Sequence, residues 1–309
     1  MADIRSESRT GVVFDVQRFS IHDGAGIRTL VFVKGCSLRC VWCCNPESQT
    51  PATELTVSPA RCIRCGLCVE ACPHLAMAFN PNGNCAPDRS RCQICGMCVD
   101  ACPSGACALR GRAVTVDELL REVERDMLFY RASGGGVTVS GGEPLLQAAF
   151  VAEFLAACRQ QGIHTAIETC GYAPWEDFAQ VLAYTDLTLF DVKHPDAEAH
   201  RRLTGVGNEV IMANLRRAAA THARIILRMP LIPEYNADAD TVRAVARLAR
   251  TLGISELHLI PYHGLGEAKY RSLGREYALA DLQLMAPEQI EALKHAALEN
   301  GGITVRIGG

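Results

Sequence analysis

Two apolar rhythms alternate along most of this 309-residue chain. Short runs rich in Val, Ile, Leu and Phe have the length of buried strands, and between them apolar positions return every three or four residues, as on one face of a helix. From about residue 114 onward, strands are predicted at Gly136 to Ser140, Ile163 to Glu168, Leu187 to Val192, Arg224 to Met229, Glu256 to Ile260 and Ile303 to Ile307. Helices are predicted over Thr115 to Arg131, Leu145 to Gln161, Pro174 to Ala183, Asp238 to Leu252 and Pro287 to Asn300. The first has Thr115 as its cap with Glu118 three residues on, and stops at the breaker Ser133-Gly134-Gly135-Gly136. Thr29 to Val33 makes another β-like run ahead of a cysteine-rich loop. This order predicts an α/β chain of at least six βα units, its parallel strands forming a closed or partly closed barrel or an open sheet. All of these place their chemistry at the carboxyl ends of the strands.

The rhythm breaks between about Thr53 and Arg112, a stretch rich in Cys, Pro and Gly without long periodic elements. It reads as an inserted small domain, which divides the chain into 1–52, an insert 53–113, and 114–309. The insert contains a repeat. Cys62, Cys65, Cys68 and Cys72, followed by Pro73, form C-x-x-C-x-x-C-x-x-x-C-P, and Cys92, Cys95, Cys98 and Cys102, followed by Pro103, form it again 30 residues later (92 − 62). This is the bacterial ferredoxin run, in which the fourth cysteine ligates the other cluster. The expected sets are therefore Cys62, Cys65, Cys68 with Cys102, and Cys92, Cys95, Cys98 with Cys72, each on a 4Fe-4S cluster. Paired zinc knuckles are the alternative, and they leave the fourth cysteine before proline unexplained.

Composition narrows the field. Hydrophobic residues make up 49% and charged residues 21% of the chain, ordinary values for a globular protein. A formal net charge of −3 provides no basic field for nucleic acid or an anionic membrane. The start of the chain is polar and no run of apolar residues is long enough to span a bilayer, so a cytoplasmic location is expected. The outlier is cysteine, with 16 residues, most of them two or three positions apart, which favours metal or cluster ligation over disulfides and implies an oxygen-poor setting.

Upstream of the insert, GCSLRCVWCCNPE spaces Cys36, Cys40 and Cys43 as C-x-x-x-C-x-x-C, with Trp42 before the third. Three thiolates on a four-iron cluster leave one iron open, as a catalytic zinc site leaves one position free. Cys44, adjacent to Cys43, is read as a spare. Cys85, Cys107, Cys158 and Cys170 fall outside these spacings and are read as non-ligands.

The three-cysteine motif resembles the signature of radical S-adenosylmethionine enzymes. More narrowly, IHDGAGIRTLVFVKGCSLRCVWCCNPES, GGGVTVSGGEP, IETCGY, LFDVKHPD, RMPLIPEYN and LIPYHGLGEAKY resemble, in order, the glycyl radical enzyme activating enzymes. Ala25 departs from the family's usual proline, a change in loop stiffness. The resemblance implies a partial (β/α)6 TIM-like barrel with an inserted ferredoxin-like domain, and an open iron that chelates the amino and carboxylate groups of S-adenosylmethionine. One electron then cleaves the sulfonium. A 5′-deoxyadenosyl radical takes a hydrogen from the Cα of a glycine in a partner enzyme, leaving methionine and 5′-deoxyadenosine.

S-adenosylmethionine contacts are expected from Trp42, Cys43, Cys44, Gly141, Gly142, Glu143, Asp191, Val192, Lys193 and His263, with Arg228 as a weaker candidate. Glycines after a strand let the backbone approach a ligand closely, although SGGEP alone reads as a βα turn. Asp191 and Lys193 share a strand face and suit the two charged ends of an amino acid, or make a surface ion pair. His263, without the family, is a structural histidine, and Arg228 is equally an ordinary loop ion pair. The resemblance also implies a flavodoxin or ferredoxin as electron donor, with the insert either relaying electrons or only stabilising and docking. Activators bearing this insert serve glycerol dehydratase, choline trimethylamine-lyase, arylacetate decarboxylases and isethionate sulfite-lyase; overall resemblance favours isethionate sulfite-lyase. The competing readings are a radical enzyme acting on a small molecule and a pure electron-transfer module.

Overall fold

Strands that are apolar on both faces need cover on both, and the chain supplies it by winding helices around a largely parallel sheet. The computed structural model describes residues 9–221, 224–299 and 301–308. Residues 1–8 of the polar start, and Asn300 at the end of the last predicted helix, lie outside them. The strands are β1 (Thr10–Ser20), β2 (Arg28–Val33), β3 (Glu54–Val57), β4 (Met77–Phe79), β5 (Cys85–Pro87), β6 (Cys107–Arg110), β7 (Arg112–Thr115), β8 (Gly136–Gly141), β9 (His164–Thr169), β10 (Leu187–Asp191), β11 (Ile225–Leu231), β12 (Glu256–Pro261) and β13 (Thr304–Ile307).

The main sheet runs β13-β12-β11-β10-β9-β8-β2-β1-β7. From β2 through β8 to β13 every neighbouring pair is parallel, whereas β1 is antiparallel to both β2 and β7. The result is a partial barrel with β7 and β13 at its edges. Alternation along each strand decides which residues meet the helices and which face inward. Val31, Val33, Ile167, Phe190, Leu227 and Met229 join the core beneath the helices Ala148–Gln160, Trp175–Leu182 and Ala239–Thr251. The opposite parity puts Ala166, Leu187, Leu189 and Ile226 together on the inner face.

Three local expectations change. The helix predicted over Thr115 to Arg131 is broken into Val116–Val123, a 3-10 turn Glu124–Asp126, and Met127–Ser133. At the break, Asp126 is buried and accepts from Arg18 Nε at 2.9 Å and Thr29 Oγ1 at 2.7 Å, a tie to β1 and β2 that straight helical geometry does not supply. The helix predicted from Leu145 begins as a 3-10 turn, Pro144–Gln147. Strand β1 was not foreseen, because its antiparallel pairing leaves it half exposed and its alternation is irregular.

The small unit pairs β3 with β6 and β4 with β5, and packs Leu55, Val57 and Met77 against its cysteines in a core of its own. Its junction with the barrel is polar and buried. Lys34, fully buried, donates to Glu47 O at 2.7 Å and Arg110 O at 3.2 Å, with Glu54 Oε2 at 3.4 Å. Arg275 donates to the other oxygen of Glu54 at 2.6 Å.

Candidate functional site

A cavity of about 220 Å³ opens at the carboxyl ends of the barrel strands. One wall is the loop after β2, where Cys36, Cys40, Trp42, Cys43 and Cys44 all reach it. Five backbone bonds hold the loop: Gly35 N to Ser48 O (2.7 Å), Cys36 N to Gln49 O (3.3 Å), Arg39 N to Thr204 O (2.7 Å), Val41 N to Leu203 O (3.1 Å) and Cys43 N to Cys40 O (3.0 Å). Burial pushes the Cys36 and Cys43 thiols up, and Cys40 up to about 11, with Lys193 pulling the other way on Cys40. Thiolates in such a place need a neutralising cation or metal, which an iron-sulfur cluster provides. The donor set therefore suits a cluster. Among the described residues, no group of three or more His, Cys, Asp or Glu side chains is arranged to hold a lone metal ion.

The glycines at the end of β8 lie against this loop. Gly141 adopts φ +121°, and a Cβ on Gly142 would lie 2.1 Å from Gly35 O, so the SGGEP turn packs on the cysteine loop backbone to backbone. Glu143 lines the cavity, but its buried carboxylate accepts from Leu145 N (3.1 Å), Thr169 Oγ1 (2.6 Å), Cys170 N (2.9 Å) and Cys170 Sγ (3.0 Å). It ties the end of β8 to the end of β9.

The third wall comes from β9, β10, β11 and the turn after β12. Lys193 donates to Asp191 at 2.8 Å, and both line the cavity. Burial works against the Lys193 charge, but Asp191 and the neighbouring thiols outweigh it and hold its pKa well above the ordinary value. Val192, between them, is not a lining residue; its side chain is fully buried in the helix-covered core, since alternation turns it away from the inner face. Arg228 lines the cavity and is ion-paired with Glu168, with Asp23 at 3.7 Å and Asp191 at 3.8 Å. Its buried Nε lacks a hydrogen-bond acceptor, the 3.8 Å to Asp191 being an ion-pair distance rather than a hydrogen bond. His263 sits at the exposed rim.

Glu168 was not singled out from sequence, although an acid at inward parity in the apolar run of β9 was a signal. Burial pushes its carboxyl up to about 7, with Arg228 pulling down and Asp23 pushing up. A folded pKa above the unfolded carboxylate value of about 4.3 means that Glu168 stabilises the fold fully below that pH and loses this contribution as pH rises through about 7. Chemical denaturation from about pH 5 to about pH 8 is therefore expected to show wild-type stability falling relative to Glu168→Gln, with a slope of up to about 1.4 kcal/mol per pH unit. Parallel profiles would contradict the assignment.

In the small unit, Cys72, Cys92, Cys95 and Cys98 line one pocket, walled by Leu55 and Met77. Cys62 and Cys102 lie close enough to interact, as do Cys98 and Cys68. All sixteen cysteines are free of disulfides, and Cys158 is on the buried face of the helix Ala148–Gln160, away from the cavity. Among the described residues, no helix is long and apolar enough to cross a membrane.

Comparison with known proteins agrees with this architecture. Residues 89–248 match the Radical SAM superfamily and residues 61–106 match the 4Fe-4S dicluster domain. The chain is 44% identical over 296 residues to the isethionate sulfite-lyase activating enzyme of Nitratidesulfovibrio vulgaris, covering 93% of this chain and 95% of that one. It is 43% identical over 286 residues to the (2S)-3-sulfopropanediol dehydratase activating enzyme of Klebsiella oxytoca, covering 90% of each. The structure of SuiB from Streptococcus suis bound to precursor peptide SuiA is similar in fold, with a TM-score of 0.53 at 14% identity over 89% of this chain and 46% of that one. With thiols and charged groups gathered at the barrel mouth and relatives of this similarity over nearly its whole length, the chain belongs to the radical SAM activating enzymes of glycyl radical enzymes.

Proposed function

We propose that the chain activates isethionate sulfite-lyase by abstracting hydrogen from one of its glycines, with S-adenosylmethionine consumed to 5′-deoxyadenosine and methionine. The observation that carries this is the cavity itself: three thiols of one loop face the Asp191–Lys193 pair and the Arg228 guanidinium across it. Cys36, Cys40 and Cys43 would hold a 4Fe-4S cluster with one open iron. S-adenosylmethionine bound there, on receiving one electron, supplies the 5′-deoxyadenosyl radical. Asp191 would meet the ligand ammonium, while Lys193 and Arg228 would meet its carboxylate, charge to charge in a confined space. Gly141 and Gly142 keep the turn flat against the cysteine loop, and Trp42, Cys44 and His263 border the adenosine side. Val192 would contribute backbone only. The isethionate lyase is chosen over the sulfopropanediol and choline enzymes because two activators named for it are 44% identical to this chain, against 43% and 42% for activators named for the sulfopropanediol dehydratase and the choline enzyme.

Two further 4Fe-4S clusters in the unit 53–113, on Cys62, Cys65, Cys68, Cys102 and on Cys92, Cys95, Cys98, Cys72, would pass electrons from a flavodoxin or ferredoxin. The pocket that gathers Cys72 with Cys92, Cys95 and Cys98 supports the crossed pairing. Segments 1–52 and 114–309 would then form the catalytic barrel of a cytoplasmic enzyme. The test is anaerobic incubation with S-adenosylmethionine, a reductant and, separately, the isethionate, sulfopropanediol and choline enzymes. A glycyl radical resonance is expected in the first, with dithionite or with reduced flavodoxin; a signal only in another enzyme would reassign the partner, and none in any would defeat the reading.

A further inference from the structure

The small unit repeats its backbone more faithfully than its lining. A shift of 30 residues carries Cys62 onto Cys92 and the helix Leu67–Glu70 onto Met97–Asp100, and Gly66 and Gly96 share φ 82° and ψ −12°. The strands follow the same pseudo-two-fold: Val57 pairs with Cys107 as Pro87 pairs with Met77, and Leu55 pairs with Leu109 as Cys85 pairs with Phe79. The shift therefore places Cys85 where the other half has Leu55, and Cys107 where it has Met77.

Leu55 and Met77 wall the pocket of Cys72, Cys92, Cys95 and Cys98. The sister quartet consequently has two extra thiols in place of two apolar side chains. Both are buried, at 4% exposure for Cys85 and 3% for Cys107. Cys85 lies beside Cys62 and Cys68, and Cys107 beside Cys102, within the one core of the small unit. Neither is in a disulfide.

A thiol S–H is a weak donor, whereas Leu and Met side chains donate nothing. Hydrogen bonds to the sulfurs of a cluster favour its more negative, reduced state and so raise its potential. Resting on the two-cluster reading above, we propose that Cys85 and Cys107 are tuning residues that hold the cluster of Cys62, Cys65, Cys68 and Cys102 at a higher potential than its sister. The placement gives this a use. Leu55 follows Glu54, the residue docked on Lys34 and Arg275 of the barrel, so the apolar pocket adjoins the barrel side. The thiol-lined quartet adjoins the β4–β5 ribbon, whose Phe79 is half exposed. The outer cluster would be the first to fill from a donor.

The test uses the full chain carrying Cys36→Ala, Cys40→Ala and Cys43→Ala, so that only the small-unit clusters report, in a redox titration followed by paramagnetic resonance. Two waves are expected. Cys85→Leu with Cys107→Met, which copies the sister pocket, is expected to lower the upper wave at least tenfold in reduction equilibrium constant, about 59 mV for one electron, leaving the lower wave in place. Cys85→Ser with Cys107→Ser keeps a donor at each position and should hold the upper wave near its original potential. If the Leu/Met chain fails to take up iron, Cys85→Ala and Cys107→Ala are titrated singly against the same expectation. An unmoved upper wave, or an equal fall in the Ser pair, overturns the proposal. Iron content separates this from failure of its premise: well under about eight irons in the parent chain removes the second cluster and the tuning role together.

Discussion

Replacing Cys40 by Ala is expected to lower 5′-deoxyadenosine release by at least about a thousandfold. Cys36, Cys40 and Cys43 all line the cavity, and on the proposed reading they are the three thiols through which one loop would grip the cluster. Removing one leaves a second iron without a thiolate, and the cluster is lost or left unable to position the sulfonium. Cys44 is a poor substitute: it follows Cys43 directly, and the segment at Gly266 crowds it, since a Cβ there would lie 3.1 Å from Cys44 Cα. The small unit provides an internal control. Iron content should fall only from about twelve to about eight per chain, while Cys44→Ala keeps the full iron content. Turnover of Cys40→Ala within tenfold of wild type would show that the open iron is held elsewhere.

Replacing Arg228 by Met is expected to cost about 3–5 kcal/mol of stability, since the partners of a broken buried ion pair stay behind without compensation. Three carboxylates face this guanidinium from separate parts of the chain: Asp23 before β2, Glu168 on β9 and Asp191 on β10. Arg228 and Glu168 are only 15% and 16% exposed, so water does little to relieve the repulsion. For a chain of this size the melting temperature should drop by roughly 5–8 °C. Adding Glu168→Gln should restore part of the loss, because it removes one of the stranded charges, and denaturation of the single and double variants measures that coupling. A single variant within about 1 kcal/mol of wild type, the range of a solvent-exposed pair, would mean that the cluster is effectively hydrated.

What sequence alone determined was whatever is carried by short spacing. The paired C-x-x-C-x-x-C-x-x-x-C-P runs, the C-x-x-x-C-x-x-C loop and the βα order from Gly136 onward are local patterns, since the cysteines of one run and the faces of one strand are set by residues a few positions apart. Alternation carried past Asp191, the last residue of β10, likewise put Asp191 and Lys193 on one face, and the same rule, applied to Val192, would have turned it away. Tertiary structure decided what depends on distant segments meeting. Glu168 and Asp23 become partners of Arg228 only when β9, β11 and the loop before β2 converge, and Asp126 breaks a helix because Arg18 and Thr29 reach it from two other strands. Buried charges take their meaning from groups that pack around them across the fold, and a linear pattern does not encode which those are.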